Sequence, residues 1–227
     1  MNPQPGRFII GLTGNIATGK SVVRRMLEQT GAFGIDADSL AHFVIKPDAS
    51  GYLPVLDEFG EGILNSHGEI DRARLGSIVF NDPDSLRKLE EIIHPLVREK
   101  IHELLGVTPF TYVVIEAIKL FESGLSSECD SIWVSDSSQE LQIKRLLSGR
   151  EMDRSTALAR IQAQPPQSQK IKMADVVINN HGSYLQTWRL VKQAWKEILY
   201  KSEIKVFPSN PARFNGIEIY RCDPDDI

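Results

Sequence analysis

The sequence predicts an α/β fold, a parallel β-sheet flanked by helices, and three observations carry that expectation. Residues Gly14-Asn15-Ile16-Ala17-Thr18-Gly19-Lys20-Ser21 fit the pattern G-x-x-x-x-G-K-[ST] and directly follow the apolar run 8–12. Short apolar runs rich in β-branched residues recur at 8–12, 32–35, 112–115, 132–134 and 176–178. Helical patterns lie between them, and such alternation makes a parallel sheet covered by helices. With the glycine-rich octapeptide after the first run, the sheet is of the P-loop NTPase type.

The octapeptide is the strongest signal. Its glycines let the backbone curl so that successive N–H groups face one point, at which the following helix aims the positive end of its dipole. The chain is therefore expected to bind a nucleoside triphosphate in loop 14–21, with Lys20 reaching the β/γ-phosphates and Ser21 offering its hydroxyl to Mg²⁺. Val22, Val23, Met26 and Leu27 supply the helical pattern that the motif requires behind the loop.

Past residue 38 the core pattern is interrupted twice. From 39 to 105 no convincing strand occurs, and the segment reads as a helical insertion. Asp82 before Pro83 suits a helix start, and Leu86, Leu89, Ile93, Leu96, Val97 and Leu104 recur at helical spacing. Pro95 is expected to kink that element. Residues 106–141 return to the core. The second insertion, 142–172, carries seven basic residues (Lys144, Arg145, Arg150, Arg154, Arg160, Lys170, Lys172) against two acids, Glu151 and Asp153, and Pro165-Pro166 interrupts its helical pattern. In an acidic protein with a triphosphate site, clustered arginines read as a lid over transferring phosphoryl groups. A solvated helix face is the alternative. Residues 173–200 complete the core. They end in an amphipathic helix from Ser183 whose stripe of Leu185, Trp188, Val191, Trp195 and Ile198 should pack on the sheet, with both tryptophans in the core. The tail, 201–227, holds Pro208, Pro211 and Pro224 and an acidic end, and is expected to be a poorly ordered extension with one short strand.

A chain of 227 residues supports one substantial domain with an inserted subdomain, burying roughly 70% of its unfolded surface. Hydrophobic residues make up 41% and charged residues 25%, as in ordinary soluble proteins. The net charge of −4 argues against a general nucleic-acid or anionic-membrane binder. Two cysteines, Cys129 and Cys222, lack metal-ligand spacing and read as one partly buried thiol and one tail thiol. With no signal-peptide pattern and no membrane-length apolar run, a soluble cytoplasmic protein is expected, acting as a monomer on a small molecule.

The phosphate loop alone does not separate kinases from GTPases or motor ATPases. Asp36-Ala37-Asp38 does more, because side chains at the carboxyl end of a parallel strand point into the crevice that holds ligands. A carboxylate there can orient a substrate hydroxyl and accept its proton as it attacks the γ-phosphate. Either acid could instead cap the next helix. One is expected to cap or support and the other to act.

From here the chain resembles the dephospho-coenzyme A kinase family over nearly all of residues 8–200. The resemblance rests on Gly11-Leu12-Thr13-Gly14 leading into the loop, Ile35-Asp36-Ala37-Asp38, Ile93-His94-Pro95-Leu96-Val97, and Leu120-Phe121-Glu122-Ser123-Gly124-Leu125. It continues through Gln142-Ile143-Lys144-Arg145-Leu146, Arg160-Ile161-Gln162-Ala163-Gln164 and Ala174-Asp175-Val176-Val177-Ile178-Asn179-Asn180-His181-Gly182-Ser183. In this order and spacing the segments are strong together. The resemblance implies ATP-dependent phosphorylation of the ribose 3′-hydroxyl of dephospho-coenzyme A, the last step of coenzyme A synthesis. It implies Asp38 as the base, loop 14–21 as the phosphate cradle, Arg150 as a lid arginine on the phosphates and Asn180 near the adenine. Asp36, His94 and Arg145 fall with the acceptor; for His94 a packing role is equally open.

Three departures stand out. Where the family reads Gly-Gly-Ile-Gly-Ser-Gly-Lys, this chain varies only at positions the motif does not require, so binding is expected to survive. Ile118-Lys119-Leu120-Phe121-Glu122 replaces Pro-Leu-Leu-Phe-Glu and is preceded by Glu116, which reads as an acid supporting Mg²⁺ or as a strand-end carboxylate making local hydrogen bonds. Arg150 follows Arg145 by five residues, one more than the resemblance implies, and Arg145 and Arg154 stand as alternatives.

Two rival functions are weaker. Asp57-Glu58-Phe59-Gly60 matches the D-x-x-G of GTPase switches, but it lies in the helical insertion and no [NT]-K-x-D follows. A kinase for another hydroxylated small molecule, such as a nucleoside, would use the same catalytic parts and differ only in the insertion.

Overall fold

The computed structural model describes residues 6–149, 152–201, 213–214 and 217–218. All five apolar runs are strands: β1 (Phe8–Thr13), β2 (Phe33–Asp36), β3 (Tyr112–Glu116), β4 (Ser131–Asp136) and β5 (Val176–Asn179). They form one sheet in the order β2-β3-β1-β4-β5, and β1 runs parallel to β3 and β4 on either side. β5 runs parallel to β4 at the edge. The inner strands β1, β3 and β4 are buried on both faces almost throughout, which is why they read as continuous apolar runs rather than alternating ones. The route out of β1 leads to one side and that out of β3 crosses to the other. The carboxyl end of β1 is therefore a switch point, where open α/β sheets bind ligands.

Two compact units make up the chain, 1–35 with 109–227 and Asp36–Thr108. In the first, helix α1 (Lys20–Gln29) buries Val23, Met26 and Leu27 into a core shared with Ile10, Leu12, Tyr112, Trp133 and Ile178. The final helix of that core, labelled α9 below, covers the same cluster through Val191, Ala194, Trp195 and Ile198, with Tyr112 and Trp195 packed edge to face at 4.9 Å. Trp188 is partly buried against the cluster. Leu185, placed by the sequence on this stripe, is instead 54% exposed. The stripe enters the helix at Thr187 and recurs at 191, 194, 195 and 198, and Leu185, two residues before Thr187, falls on another face.

The second unit holds α2 (Ala37–Phe43), α3 (Tyr52–Phe59), α4 (Arg72–Asn81) and α5 (Pro83–Val107). Aspartates begin three of these helices: Asp36 accepts from Ser39 N, Asp71 from Ala73 N and Arg74 N, and Asp82 from Asp84 N with Pro83 behind it. Helix α5 runs unbroken through Pro95.

The first unit resumes with α6 (Gln139–Gly149), α7 (Arg154–Gln162), α8 (Gln167–Lys172) and α9 (Tyr184–Lys201). Residues 213–214 and 217–218 pair as a short antiparallel ladder, and the rest of the tail expected to be poorly ordered lies outside the described residues. Among the described residues no helix is long and apolar enough to cross a membrane.

Candidate active site

Loop 14–21 joins β1 to α1 at the switch point, and its two motif glycines are required by space as well as conformation. Gly14 has φ +147°, and a Cβ there would lie 2.5 Å from Ser135 O. Gly19 begins α1 with φ +95°, and a Cβ would lie 1.9 Å from Asn180 Nδ2. Ala17 also adopts a left-handed φ of 59°, unusual for a residue with a side chain. Lys20 is buried inside the curl, donating from Nζ to Gly14 O at 2.9 Å and Asn15 O at 3.2 Å. Val22 and Val23 donate their N–H groups to Gly19 O at 3.0 and 3.2 Å, so Lys20 and Ser21, ahead of them, open α1 at the end whose backbone donors have no carbonyl one turn back.

Three side chains distant in sequence pin the loop's carbonyl side. Asn180 donates to Thr18 O at 2.9 Å and accepts from Thr187 Oγ1 at 2.9 Å. Ser135 Oγ donates to Thr18 O at 2.9 Å. Arg145 spreads its guanidinium over Ala17 O (3.0 Å), Thr18 O (3.2 Å), Ser137 Oγ (3.2 Å) and Asn180 O (2.9 Å). Burial pushes the Arg145 pKa below its ordinary value. The cation thus lies against the loop, adding positive potential where phosphates would sit.

On the other side of the loop, Ser21 Oγ donates to Glu116 Oε1 at 2.7 Å, and Arg24 Nε donates to Glu116 Oε2 at 2.7 Å. Glu116 ends β3 and is buried, while Ser21 is exposed. Arg24 continues the chain to Glu28. Burial works against the Arg24 charge, but Glu116 and Glu28 outweigh it and hold its pKa above the ordinary value.

The structure thus brings Lys20, Ser21, Val22, Glu116, Arg145 and Asn180 around one loop. Arg150 lies outside the described residues. Asp36, Asp38 and His94 belong to the second unit: Asp36 caps α2, accepting Ser39 N at 2.9 Å, and Asp38 is half-buried in the first turn of that helix. His94 lies midway along α5 and lines a cavity of about 480 Å³ with Pro95, Arg98, Glu99, His102 and Glu103. Sequence reasoning missed Arg24, Ser135, Ser137, Gln167 and Thr187. Arg24 sits one turn past the motif and Thr187 seven residues past Asn180, while Ser135, Ser137 and Gln167 reach the loop or Asn180 from more distant elements, and no local pattern marks them.

A family model described as dephospho-CoA kinase matches residues 8–186. The dephospho-CoA kinase of Carboxydothermus hydrogenoformans is 44% identical over 195 residues, covering 83% of this chain and 94% of the relative. Among solved structures, TT1252 from Thermus thermophilus superposes with a TM-score of 0.76 at 31% identity, covering 88% of this chain and 99% of that one. The dephospho-CoA kinase from Campylobacter jejuni gives 0.61 at 29% identity, covering 86% and 98%.

Proposed function

The chain belongs to the dephospho-CoA kinase family, and from that premise we propose how its residues perform ATP-dependent phosphorylation of the ribose 3′-hydroxyl of dephospho-coenzyme A, the last step of coenzyme A synthesis. The observation that carries the phosphate site is the loop itself: a buried Lys20 inside a curl whose Gly14 and Gly19 admit no side chain.

In this reading loop 14–21, through backbone N–H groups of its second half, 17–21, binds the ATP phosphates together with the Lys20 ammonium and spreads the charge that builds on them during transfer. Lys20 exchanges its contacts with Gly14 O and Asn15 O for phosphate oxygens. Arg145 and Asn180 fix the loop's shape beside the adenosine, and Arg150, with Arg145 and Arg154 as its alternatives, reaches the phosphates from the lid, residues 142–172. The helical insertion, 39–105, holds the acceptor with Asp36 and His94. Asp38 accepts the proton of the 3′-hydroxyl as its oxygen bonds to the γ-phosphorus; the bond from that phosphorus to the β–γ bridging oxygen breaks, and ADP leaves.

The residues fit Mg²⁺. Ser21 keeps its proton on Glu116 and so has a lone pair to offer, and hydroxyl and carboxylate oxygens suit a hard cation. Bound there, Mg²⁺ would neutralise charge on the β- and γ-phosphoryl oxygens. A cytoplasmic monomer with no nucleic-acid or membrane partner completes the reading; the net charge of −4 supports the lack of polyanionic partners, and the small number of cysteines a reducing compartment.

Coupled ADP release from purified protein with Mg²⁺-ATP and dephospho-coenzyme A, run beside adenosine and no-acceptor controls, tests the reading. Turnover that depends on dephospho-coenzyme A and yields a 3′-phosphorylated product is expected. Equal turnover with adenosine would reassign the acceptor.

A further inference from the structure

The turn between α7 and α8, Gln164-Pro165-Pro166-Gln167, meets the phosphate loop with three acceptors. Gln164 Oε1 accepts the Ile16 N–H at 2.7 Å, Gln167 Oε1 accepts the Asn15 N–H at 2.9 Å, and Pro165 O accepts from Asn15 Nδ2 at 2.9 Å. Gln167 turns its amide nitrogen to Ser135 O at 2.9 Å, the same carbonyl that leaves Gly14 no room for a side chain. Three residues on, the buried Lys170 donates to Ile118 O, which also accepts from Thr13 Oγ1. Partners fix the sense of each amide, since a backbone N–H only donates and a carbonyl only accepts.

The turn is built to hold its shape. Each proline fixes its own φ and biases the preceding residue toward extended backbone, so Gln164, Pro165 and Pro166 lose little freedom when they dock. Pro166, at φ −54° and ψ 129°, also starts α8, so Gln167 is carried on the first turn of a helix anchored by Lys170. Asn15 is buried, and its N–H and side-chain amide need the acceptors that the turn supplies.

We propose that Gln164 and Gln167 are positioning residues for ATP. They take the N–H groups of Asn15 and Ile16, and this brace, with Thr18 N donating to Asn15 O at 3.3 Å, keeps the other half of the loop, 17–21, curled around the phosphate position. The inference rests on the phosphate-loop reading above. Both glutamines lie inside the basic insertion, 142–172, so the loop's affinity for ATP depends on how that segment is seated.

Replacing both with methionine, which matches glutamine in length but removes the acceptor, tests this. The Gln164→Met/Gln167→Met protein is expected to raise KM for ATP about tenfold. KM for dephospho-coenzyme A and kcat at saturating ATP should stay within about twofold, and the Asn15 and Ile16 amide hydrogens should exchange faster in the nucleotide-free protein. Unchanged KM for ATP, or a parallel change in both KM values, overturns the inference. Should the double variant fail to fold, Gln164→Met alone carries the test. Lys20→Ala is measured beside it. ATP binding lost in Lys20→Ala but normal in the glutamine variant overturns the brace alone. Normal ATP binding in Lys20→Ala overturns the phosphate-loop reading and the brace with it.

Discussion

The exposed Ser21 hydroxyl donates its proton to the buried Glu116 carboxylate at 2.7 Å, while Arg24 occupies the other carboxylate oxygen at the same distance. The serine is thereby oriented by a residue 95 positions away, and a hydroxyl that donates its proton still has lone pairs to offer. Glu116→Gln keeps an acceptor for Ser21 but loses the charge that faces Arg24. It is expected to lower kcat about 10–100-fold at fixed Mg²⁺, with part of the loss recovered at high Mg²⁺, as for residues that orient a metal's ligand. The check is the rate as a function of Mg²⁺ at saturating ATP, with circular dichroism to confirm folding. An unaltered Mg²⁺ dependence would sink the role given to Glu116.

The left-handed residues of the loop make opposite predictions. Gly19→Ala forces a side chain into Asn180 at φ +95° and is expected to cost about 1–3 kcal/mol and to abolish ATP binding. Ala17→Gly removes the strain of φ 59° and adds freedom to the unfolded chain, so stability should shift by no more than about 1 kcal/mol, toward stabilisation. Urea melts with and without ATP separate the two outcomes.

Fold and phosphate loop were legible because their signals are local. The G-x-x-x-x-G-K-S spacing records a backbone curl within eight residues, and the three inner strands, buried on both faces, announced themselves as apolar runs. Asp82-Pro83 likewise marked the start of α5. What escaped reading is what distant residues do to the loop. Arg145 reaches Thr18 O across 127 positions and Gln167 reaches Asn15 N across 152, and neither spacing leaves a trace in sequence. Leu185 misled because an apolar residue near a helix start looks like part of the stripe, whereas the buried position there is Thr187, whose hydroxyl is bound to Asn180.

The acidic pair divides cleanly in its expected responses. Asp36 caps α2, so Asp36→Ala should cost about 1 kcal/mol of stability, whatever it does to acceptor binding. Asp38 sits in the first turn of α2, and as the proposed base its replacement by Asn should lower kcat about 10²–10⁴-fold with KM for ATP nearly unchanged. Thermal melts and steady-state kinetics on the two variants give the comparison. Near-normal turnover in a folded Asp38→Asn protein would move the base elsewhere.

Cys129 supplies a pH signature of folding. Its Sγ donates to Leu125 O at 3.3 Å and lies 2.7 Å from where a Cβ on Gly11 would stand, so a glycine in β1 makes room for it. Burial, reinforced by Glu128 and Asp130, pushes the thiol from 9.0 up to about 12. The folded state therefore holds its proton where the unfolded state releases it. The stability tied to this proton is intact below pH 9.0 and is lost as pH rises toward about 12. At pH 8 the thiolate fraction of the folded protein is about a thousandfold below that of the unfolded chain, and reaction with a thiol-specific reagent should slow accordingly. The measurement uses a Cys222→Ser background so that only Cys129 reports, with and without denaturant. Equal labelling rates in both states would show that the thiol is open to solvent in the folded protein.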